Sequence, residues 1–410
     1  DRYVRGRAAN FLGAAFSQVP DKTLAWQDLH RLMGDEESDV QWGAANALGA
    51  AFSQVPDKTL AWQDLHRLTG DEDRNVRGGA ANALGAAFSQ VPDKTMAWQD
   101  LHRLTGDEDR YVRGGAANAL GAAFSQVPDK TLAWQDLHRL TGDEDSSVRR
   151  QAAGALGDAF SQVPDKNLAW QDLIKLMGDE DRYVRGGAAN ALGAAFSQVP
   201  DKNLAWQDLH RLTGDEDSDV RMGAANALGA AFSQVPDKTL AWQDFIKLMR
   251  DEDRNVRLVA AIALGAAFDK TPAWQDLIKL TGDEDRYVRG RAANFLGAAF
   301  SQAPDKNLAW QDLIKLMGDE DSDVQWGAAN ALGAAFSQVP DKNLAWEDLH
   351  RLTQDEDRYV RFGAVNALGT VFSLVHDKNL AWQDLIKLMG DEDRYVRGRA
   401  ANFLGAAFSQ

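Results

Sequence analysis

The sequence predicts an all-α protein, an α-solenoid built from about eleven and a half copies of a two-helix unit. The motif Leu-Gly-Ala-Ala-Phe, or a close variant, recurs twelve times along the chain. Successive copies are 36 residues apart, except that Gly265 and Gly297 are separated by 32. Within each copy, apolar residues recur every three or four positions, which is the spacing of helices and not of strands.

The repeats lead us to expect one continuous array over residues 1–410 in place of several globular domains. Residues 1–18 form a partial unit with a second helix only, and 19–268 form regular units. Residues 269–300 form a unit with a four-residue deletion in its turn, and 301–410 are again regular. We expect the deletion to change the superhelix locally without a domain break. One unit cannot bury the apolar stripes of both its helices, so stability should come from contacts between neighbours.

Residues 19–54 serve as the type unit. Residues 20–22 read as a turn, and Thr23 is predicted to be the N-cap of a first helix over 24–33. Gly34 fits the C′ position that follows a helix. An acidic loop then places carboxylates beside the N-terminus of a second helix, predicted over 38–53.

Aromatic residues mark the predicted core. Tryptophan occupies the Trp26 position in all eleven first helices, and phenylalanine occupies the Phe52 position in all twelve second helices. Small residues such as Ala45 and Gly49 recur in the second helix. Glycine inside a helix costs about 1 kcal/mol relative to alanine, so its repetition predicts that neighbouring helices approach closely there.

Composition excludes several functions. The net charge of -16 opposes generic binding to nucleic acid or anionic membrane. There is no cysteine, and no apolar run approaches the roughly 20 residues that span a bilayer. No signal peptide is present, so we expect a cytoplasmic protein, although the chain starts at Asp1 in mid-unit without a methionine.

No catalytic or phosphate-binding motif occurs, and the acidic loops lack EF-hand spacing. Six of the seven histidines share one register of the first helix, where other copies have Ile174 or Ile246. A position that accepts isoleucine is typical of a partly packed surface residue and not of a ligand. We therefore expect no enzymatic activity, no cofactor and no metal.

The loop and second helix carry the pattern Asp-Glu-Asp-x-x-Val-Arg-x-x-Ala-Ala-x-Ala-Leu-Gly, as at 71–85. This resembles HEAT-like repeats, particularly the short phycobilisome-lyase type found in archaeal and bacterial multidomain proteins. The resemblance implies a right-handed superhelix whose second helices line the concave surface. It also implies a ladder between the loop Asp of the Asp35 register and the helix Arg of the Arg77 register. Gln41 and Gln325, each followed by Trp, replace that arginine, so the resemblance to the ladder does not extend to these two steps.

Differences between the copies gather on one face of the second helix, at helical spacing. Exposed aromatic and arginine side chains on a surface of glycine, alanine and asparagine are typical of protein interfaces. The candidate recognition stripe consists of Tyr3, Arg7, Trp42, Tyr111, Arg150, Gln151, Tyr183, Met222, Leu258, Val259, Tyr287, Arg291, Trp326, Tyr359, Phe362, Tyr395 and Arg399. Unselected drift on a solvent-facing surface would also place variation there.

Three functions are compatible with the pattern. The leading hypothesis is a non-enzymatic scaffold or sensor array that binds a protein or peptide in the concave face. The alternative is end-to-end self-association, because residues 1–18 are identical to 285–302 and to 393–410. The third, a nucleic-acid-binding solenoid similar to HEAT-like DNA glycosylases, is opposed by the net charge. We expect no membrane partner.

Overall fold

The computed structural model describes residues 2–266, 273–303 and 305–407. Within these ranges the chain forms 23 α-helices, two 3-10 helices and no strand. Helices alternate strictly along the chain: the even-numbered ones are the first helices of the repeats, and the odd-numbered ones are the second helices. The predicted all-α solenoid of two-helix repeats is therefore confirmed.

The first helices are α2 Lys22–Met33, α4 Lys58–Leu68, α6 Lys94–Leu104, α8 Lys130–Leu140, α10 Lys166–Leu176, α12 Lys202–Leu212, α14 Lys238–Leu248, α16 Ala273–Leu280, α18 Lys306–Met317, α20 Lys342–Leu352 and α22 Lys378–Met389. The second helices are α1 Arg2–Ala15, α3 Ser38–Ala51, α5 Arg74–Ala87, α7 Arg110–Ala123, α9 Ser146–Ala159, α11 Arg182–Ala195, α13 Ser218–Ala231, α15 Arg254–Ala266, α17 Arg286–Ala299, α19 Ser322–Ala335, α21 Arg358–Val371 and α23 Arg394–Ala407. The 3-10 helices Phe16–Gln18 and Phe300–Gln302 follow α1 and α17.

The N-cap of the first helix was predicted wrongly. Asp21, and not Thr23, caps α2, because its Oδ1 accepts hydrogen bonds from the backbone N–H groups of Thr23 at 2.9 Å and Leu24 at 3.0 Å. A carboxylate also complements the positive end of the helix dipole, which a hydroxyl cannot do. Gly34 does end α2, but its φ of -103° lies outside the left-handed region expected of a C′ glycine.

The contacts divide the chain into two compact units, residues 1–237 with α1 to α13 and residues 238–410 with α14 to α23. The turn shortened by the four-residue deletion after Phe268 falls outside the described residues, so its effect on the superhelix stays a prediction. The single continuous array likewise stays a prediction.

Each of the two compact units has a core of recurring side chains between its layer of first helices and its layer of second helices. Trp26, Leu29, Val40 and Leu48 show the pattern in the first complete repeat, where all four are buried. The second helices of one unit also pack side by side. A Cβ built on Gly49 of α3 would lie 2.7 Å from the Ala83 Cα of α5. The predicted reason for the recurring glycine is therefore confirmed, and it holds the second helices closer together than the first helices.

Candidate functional site

An arginine ladder fixes the N-terminal ends of the second helices. Arg113 of α7 donates from Nε and Nη2 to the two carboxylate oxygens of Asp143 in the next repeat, at 2.8 and 2.9 Å. Its Nη1 also donates to the backbone oxygens of Asp107 and Glu108 in its own loop. These arginines are thus satisfied by protein groups, which leaves them unsuited to binding phosphate.

The ladder carboxylates remain ionised despite partial burial. Burial raises the pKa of Asp143, but the hydrogen bonds from Arg113 and from the Asp145 backbone N–H outweigh it, so the pKa lies below its usual value. The same balance, with Arg77 as donor, lowers the pKa of Asp107. The Arg113–Asp143 and Arg77–Asp107 pairs are therefore ionised at neutral pH.

The ladder is incomplete at the two glutamine positions. Gln41 Nε2 donates to the Asp35 backbone oxygen at 2.8 Å, and Gln325 Nε2 donates to the Asp319 oxygen at 2.6 Å. Each glutamine therefore keeps the bond to its own loop. It makes no hydrogen bond to the loop aspartate of the next repeat, because its side chain is shorter and holds one nitrogen.

The tryptophans that come directly after these glutamines lie across glycines of the next second helix. A Cβ built on Gly79 of α5 would lie 2.8 Å from Trp42 Cδ1. A Cβ built on Gly363 of α21 would lie 3.0 Å from Trp326 Cδ1. At these two steps the tryptophan therefore lies where the next second helix has a glycine and no Cβ.

The second unit contains a cavity of about 390 Å³ on its layer of second helices. Four aromatic residues from three consecutive second helices surround it: Trp326 of α19, Tyr359 and Phe362 of α21, and Tyr395 of α23. Phe362 also packs against a buried cluster that includes Val365 and Val396. The cavity thus has an apolar wall anchored in the core.

Charged side chains hold the tyrosines of this cavity in place. The Arg358 guanidinium lies 4.8 Å from the Tyr359 ring centroid, and its Nη2 donates to the Tyr359 hydroxyl at 3.0 Å. Its Nη1 also lies 3.5 Å from Asp393 Oδ2. Burial would raise the pKa of Asp393, but hydrogen bonds from the Tyr395 and Val396 backbone N–H groups hold it below its usual value.

Asp323 is the other carboxylate of the cavity. Burial raises its pKa, and so do neighbouring carboxylates, of which Asp321 contributes most. The Arg286 guanidinium opposes this shift, with Nε 3.4 Å from Asp323 Oδ2. Both carboxylates that line the cavity are therefore already paired with arginines of the chain.

The first unit has two smaller cavities on its second helices, and their lining is more polar. One encloses about 270 Å³ and brings together Trp42, Tyr111 and Gln151 with asparagines such as Asn82. The other encloses about 250 Å³ beside Arg150 and Tyr183. The chain thus places its aromatic residues together in the second unit and disperses them among amides in the first.

The structure gathers ten of the predicted stripe residues around these three cavities: Trp42, Tyr111, Arg150, Gln151, Tyr183, Arg291, Trp326, Tyr359, Phe362 and Tyr395. Arg7 and Arg399 are exposed on α1 and α23, and Met222, Leu258 and Val259 are half-buried. The side chains of Tyr3 and Tyr287 lie outside the described part of the structure.

Two further ladders join the repeats, and the sequence interpretation missed both. The half-exposed His138 has Nδ1 2.7 Å from Asp172 Oδ2 in the next first helix. Lys58 Nζ donates to Gln90 Oε1 at 3.0 Å. Equivalent pairs recur in other repeats. The aspartate is present in every copy whether or not the histidine is, so comparing copies gives no sign of the pairing.

Among the described residues, no group of three or more His, Cys, Asp or Glu side chains could hold a metal ion. No helix in the same ranges is both long and apolar enough to cross a membrane.

Comparison with known proteins identifies the repeat. Residues 170–240, 243–333 and 310–405 match the model of a family described as HEAT repeats, and together they cover more than half of the chain. The chain belongs to the HEAT-repeat family. The phycobilisome-lyase type and an archaeal or bacterial origin stay predictions. No curated protein was found to match the sequence.

Solved HEAT-repeat solenoids have a similar fold. Yeast importin-beta (Kap95p) is 16% identical, with a TM-score of 0.61 over 96% of this chain and 58% of that one. Importin beta crystallised in ammonium sulfate is 15% identical, with a TM-score of 0.57 over 98% of this chain and 60% of that one. This chain therefore spans under two thirds of these neighbours. At such identity the likeness concerns the fold alone.

Proposed function

We propose that the protein is a HEAT-repeat scaffold that binds a protein or peptide on its second helices, chiefly at the cavity of the second unit. One observation carries the proposal: Trp326, Tyr359, Phe362 and Tyr395 surround a single cavity of about 390 Å³. Aromatic side chains around a concave apolar site are the usual anchors of protein recognition.

The structural neighbours support a protein partner. Kap95p forms a complex with Nup1 and binds RanGDP. The concave orientation of the second helices and a cytoplasmic location are parts of the same proposal. A nucleic-acid partner is opposed by the net charge of -16 and by the paired state of ladder arginines such as Arg113.

The chain contains its own control for this site. Residues 38–58 and 322–342 have the same sequence, so Trp42 and Trp326 share a local context. Their neighbours in the next repeat differ, because Trp326 faces Tyr359 and Phe362, whereas Trp42 lies beside Asn75 and Gly78. If tryptophan alone contributed to binding affinity, substitution of Trp42 and of Trp326 would weaken binding equally. If the aromatic cavity contributes, substitution of Trp326 weakens binding more.

The test is selection of peptides from a random displayed library on the wild-type chain. Selected peptides should bind W42A almost as tightly as wild type. They should bind the W326A/F362A variant at least about ten-fold more weakly, as expected when central aromatic anchors are removed. Circular dichroism of each variant controls for folding. Equal affinity of wild type and W326A/F362A would refute the proposal.

Self-association is a second candidate, favoured by one exposed residue. Phe11 of α1 is 72% exposed. Its counterpart Phe403 in α23 packs against a buried cluster that includes Val365 and Leu388. Light scattering should show a wild-type mass that rises with concentration, and F11A should remain monomeric. A wild-type mass that stays that of a monomer at every concentration would exclude this candidate.

A further inference from the structure

Two arginines on the second helices of the second compact unit, Arg291 and Arg399, have no carboxylate partner among the residues that the structure describes. Arg291 of α17 places its guanidinium 5.8 Å from the Trp326 ring centroid. Arg399 of α23 lies 4.8 Å from the Phe403 centroid and donates from Nε to Asn366 Oδ1.

These arginines differ from the others near the cavity. Arg358 is paired with Asp393, and Arg286 is paired with Asp323. The two carboxylates that line the cavity are thus matched within the chain, whereas Arg291 and Arg399 are not. A ligand that pairs with these two arginines must supply carboxylates or another anion.

Arg291 lines the aromatic cavity, and Arg399 lies on α23 one turn after Tyr395, which also lines it. Arg291, Trp326, Phe362 and Arg399 come from the consecutive second helices α17, α19, α21 and α23, at two adjacent registers. Trp326 contacts Gly363 of the next repeat, so the register of Trp326 lies against the register of Gly363. Arg399 occupies the Gly363 register one repeat later and is therefore the corresponding neighbour of Phe362. Three helix spacings of about 8–10 Å separate the two arginines, so the row is about 24–30 Å long. An extended peptide of roughly eight or nine residues covers this length.

We propose that the row binds an extended segment of a partner protein in which acidic residues flank a large apolar side chain. The apolar side chain enters between Trp326 and Phe362, and the acidic residues reach Arg291 at one end and Arg399 at the other. This inference rests on the proposed function and names the chemistry of its partner. Because the whole chain carries a charge of -16, which opposes any anionic ligand, the apolar side chain must supply most of the affinity and the two arginines the preference for acidic residues.

The experiment uses three labelled nine-residue peptides and fluorescence polarisation with the full chain. The first carries two glutamates at each end and Phe-Leu-Phe near its centre. The second has glutamine in place of glutamate, and the third has lysine. The protein variants are R291A, R399A, W326A and, as a control, R31A. Arg31 is an exposed arginine of the first helix α2 and belongs neither to the candidate recognition stripe nor to the row.

The glutamate peptide should bind most tightly. Each of R291A and R399A should weaken it by about five-fold, the size of one partly exposed ion pair, while R31A should leave it unchanged. The affinity lost in R291A and R399A should be smaller for the glutamine peptide than for the glutamate peptide. Raising the salt concentration should weaken the glutamate peptide more than the glutamine peptide.

The contrary results separate this inference from the proposed function. Equal binding of the glutamate and glutamine peptides, or preference for the lysine peptide, overturns the acidic partner. If W326A still abolishes binding in that case, the aromatic cavity stands as the binding site. Failure of every peptide to bind also overturns the inference, and the library selection then decides the proposed function independently.

Discussion

Arg113 donates hydrogen bonds to both carboxylate oxygens of Asp143 in the following repeat, from Nε at 2.8 Å and from Nη2 at 2.9 Å. Arg113 is 9% exposed, so the pair lies largely out of water. A two-pronged, partly buried ion pair is sensitive to loss of either partner, since the remaining charge is left without compensation. The break of this ladder at Gln41 and Gln325 makes its contribution measurable within one chain.

We predict that D143N destabilises the protein by about 2–3 kcal/mol, because it leaves the Arg113 guanidinium without its carboxylate. The control is D71N. Asp71 lies one repeat after Gln41 and receives no ladder arginine, so D71N should change the free energy of unfolding by less than about 0.5 kcal/mol. Urea denaturation followed by circular dichroism measures both. Equal effects of the two substitutions would contradict the ladder's stabilising role.

The charge of Asp145 should stabilise the protein only above acidic pH. The Ser147 hydroxyl bond has the largest influence and, with Arg110, outweighs burial to lower the pKa of Asp145 to about 2. Because the pKa of Asp145 is lower in the folded than in the unfolded protein, its charge stabilises the folded state above the unfolded pKa near 4. This stabilisation is lost as the pH falls toward the folded pKa of about 2. D145N keeps an N-cap but removes the charge, so it should cost about 0.5–1 kcal/mol at pH 6.

That cost should disappear by about pH 2. The measurement is the difference in urea midpoint between wild type and D145N across this pH range, which cancels the titration of all other groups. A difference that is constant from pH 6 to pH 2 would show that the Asp145 charge is not what stabilises α9.

We predict that I174H stabilises the first unit. Asp208 has its pKa raised by burial, and the preceding repeat offers Ile174 where others offer histidine. The new histidine should pair with Asp208 as His138 pairs with Asp172, at 2.7 Å, and gain about 0.5–1.5 kcal/mol. In the D208N background most of the gain should vanish. A full gain without the aspartate would show that histidine stabilises this position by packing alone.

Two glycines of α9 should respond in opposite ways to alanine. A Cβ on Gly154 meets nothing within 4 Å, so G154A should stabilise the helix by about 0.5–1 kcal/mol. A Cβ on Gly157 would lie 2.9 Å from the Ala191 Cα, so G157A must separate α9 from α11. We expect it to cost about 1–3 kcal/mol in thermal or urea unfolding. Stabilisation by both substitutions would mean that the second helices do not need their close contact.

The features that recur within every repeat could be predicted from the sequence. They are the period, the helix pair, the buried tryptophan and the glycine at the close contact. The N-cap was wrong because Asp21 and Thr23 are both capping residues, and only the backbone geometry distinguishes them. The His138–Asp172 pair was missed because it joins two repeats at positions that vary independently. Gathering of Trp326 with Tyr359 and Phe362 also needed the structure, because it depends on which registers meet between neighbouring helices.

Hydrogen–deuterium exchange of the full chain, with and without a library-selected peptide, tests the binding site most directly. The account predicts that added protection is concentrated in the N-terminal halves of α19, α21 and α23, where Trp326, Phe362 and Tyr395 lie. The equivalent helices around Trp42 should exchange as in the free protein. Protection on the first helices, or equal protection around Trp42, would contradict it.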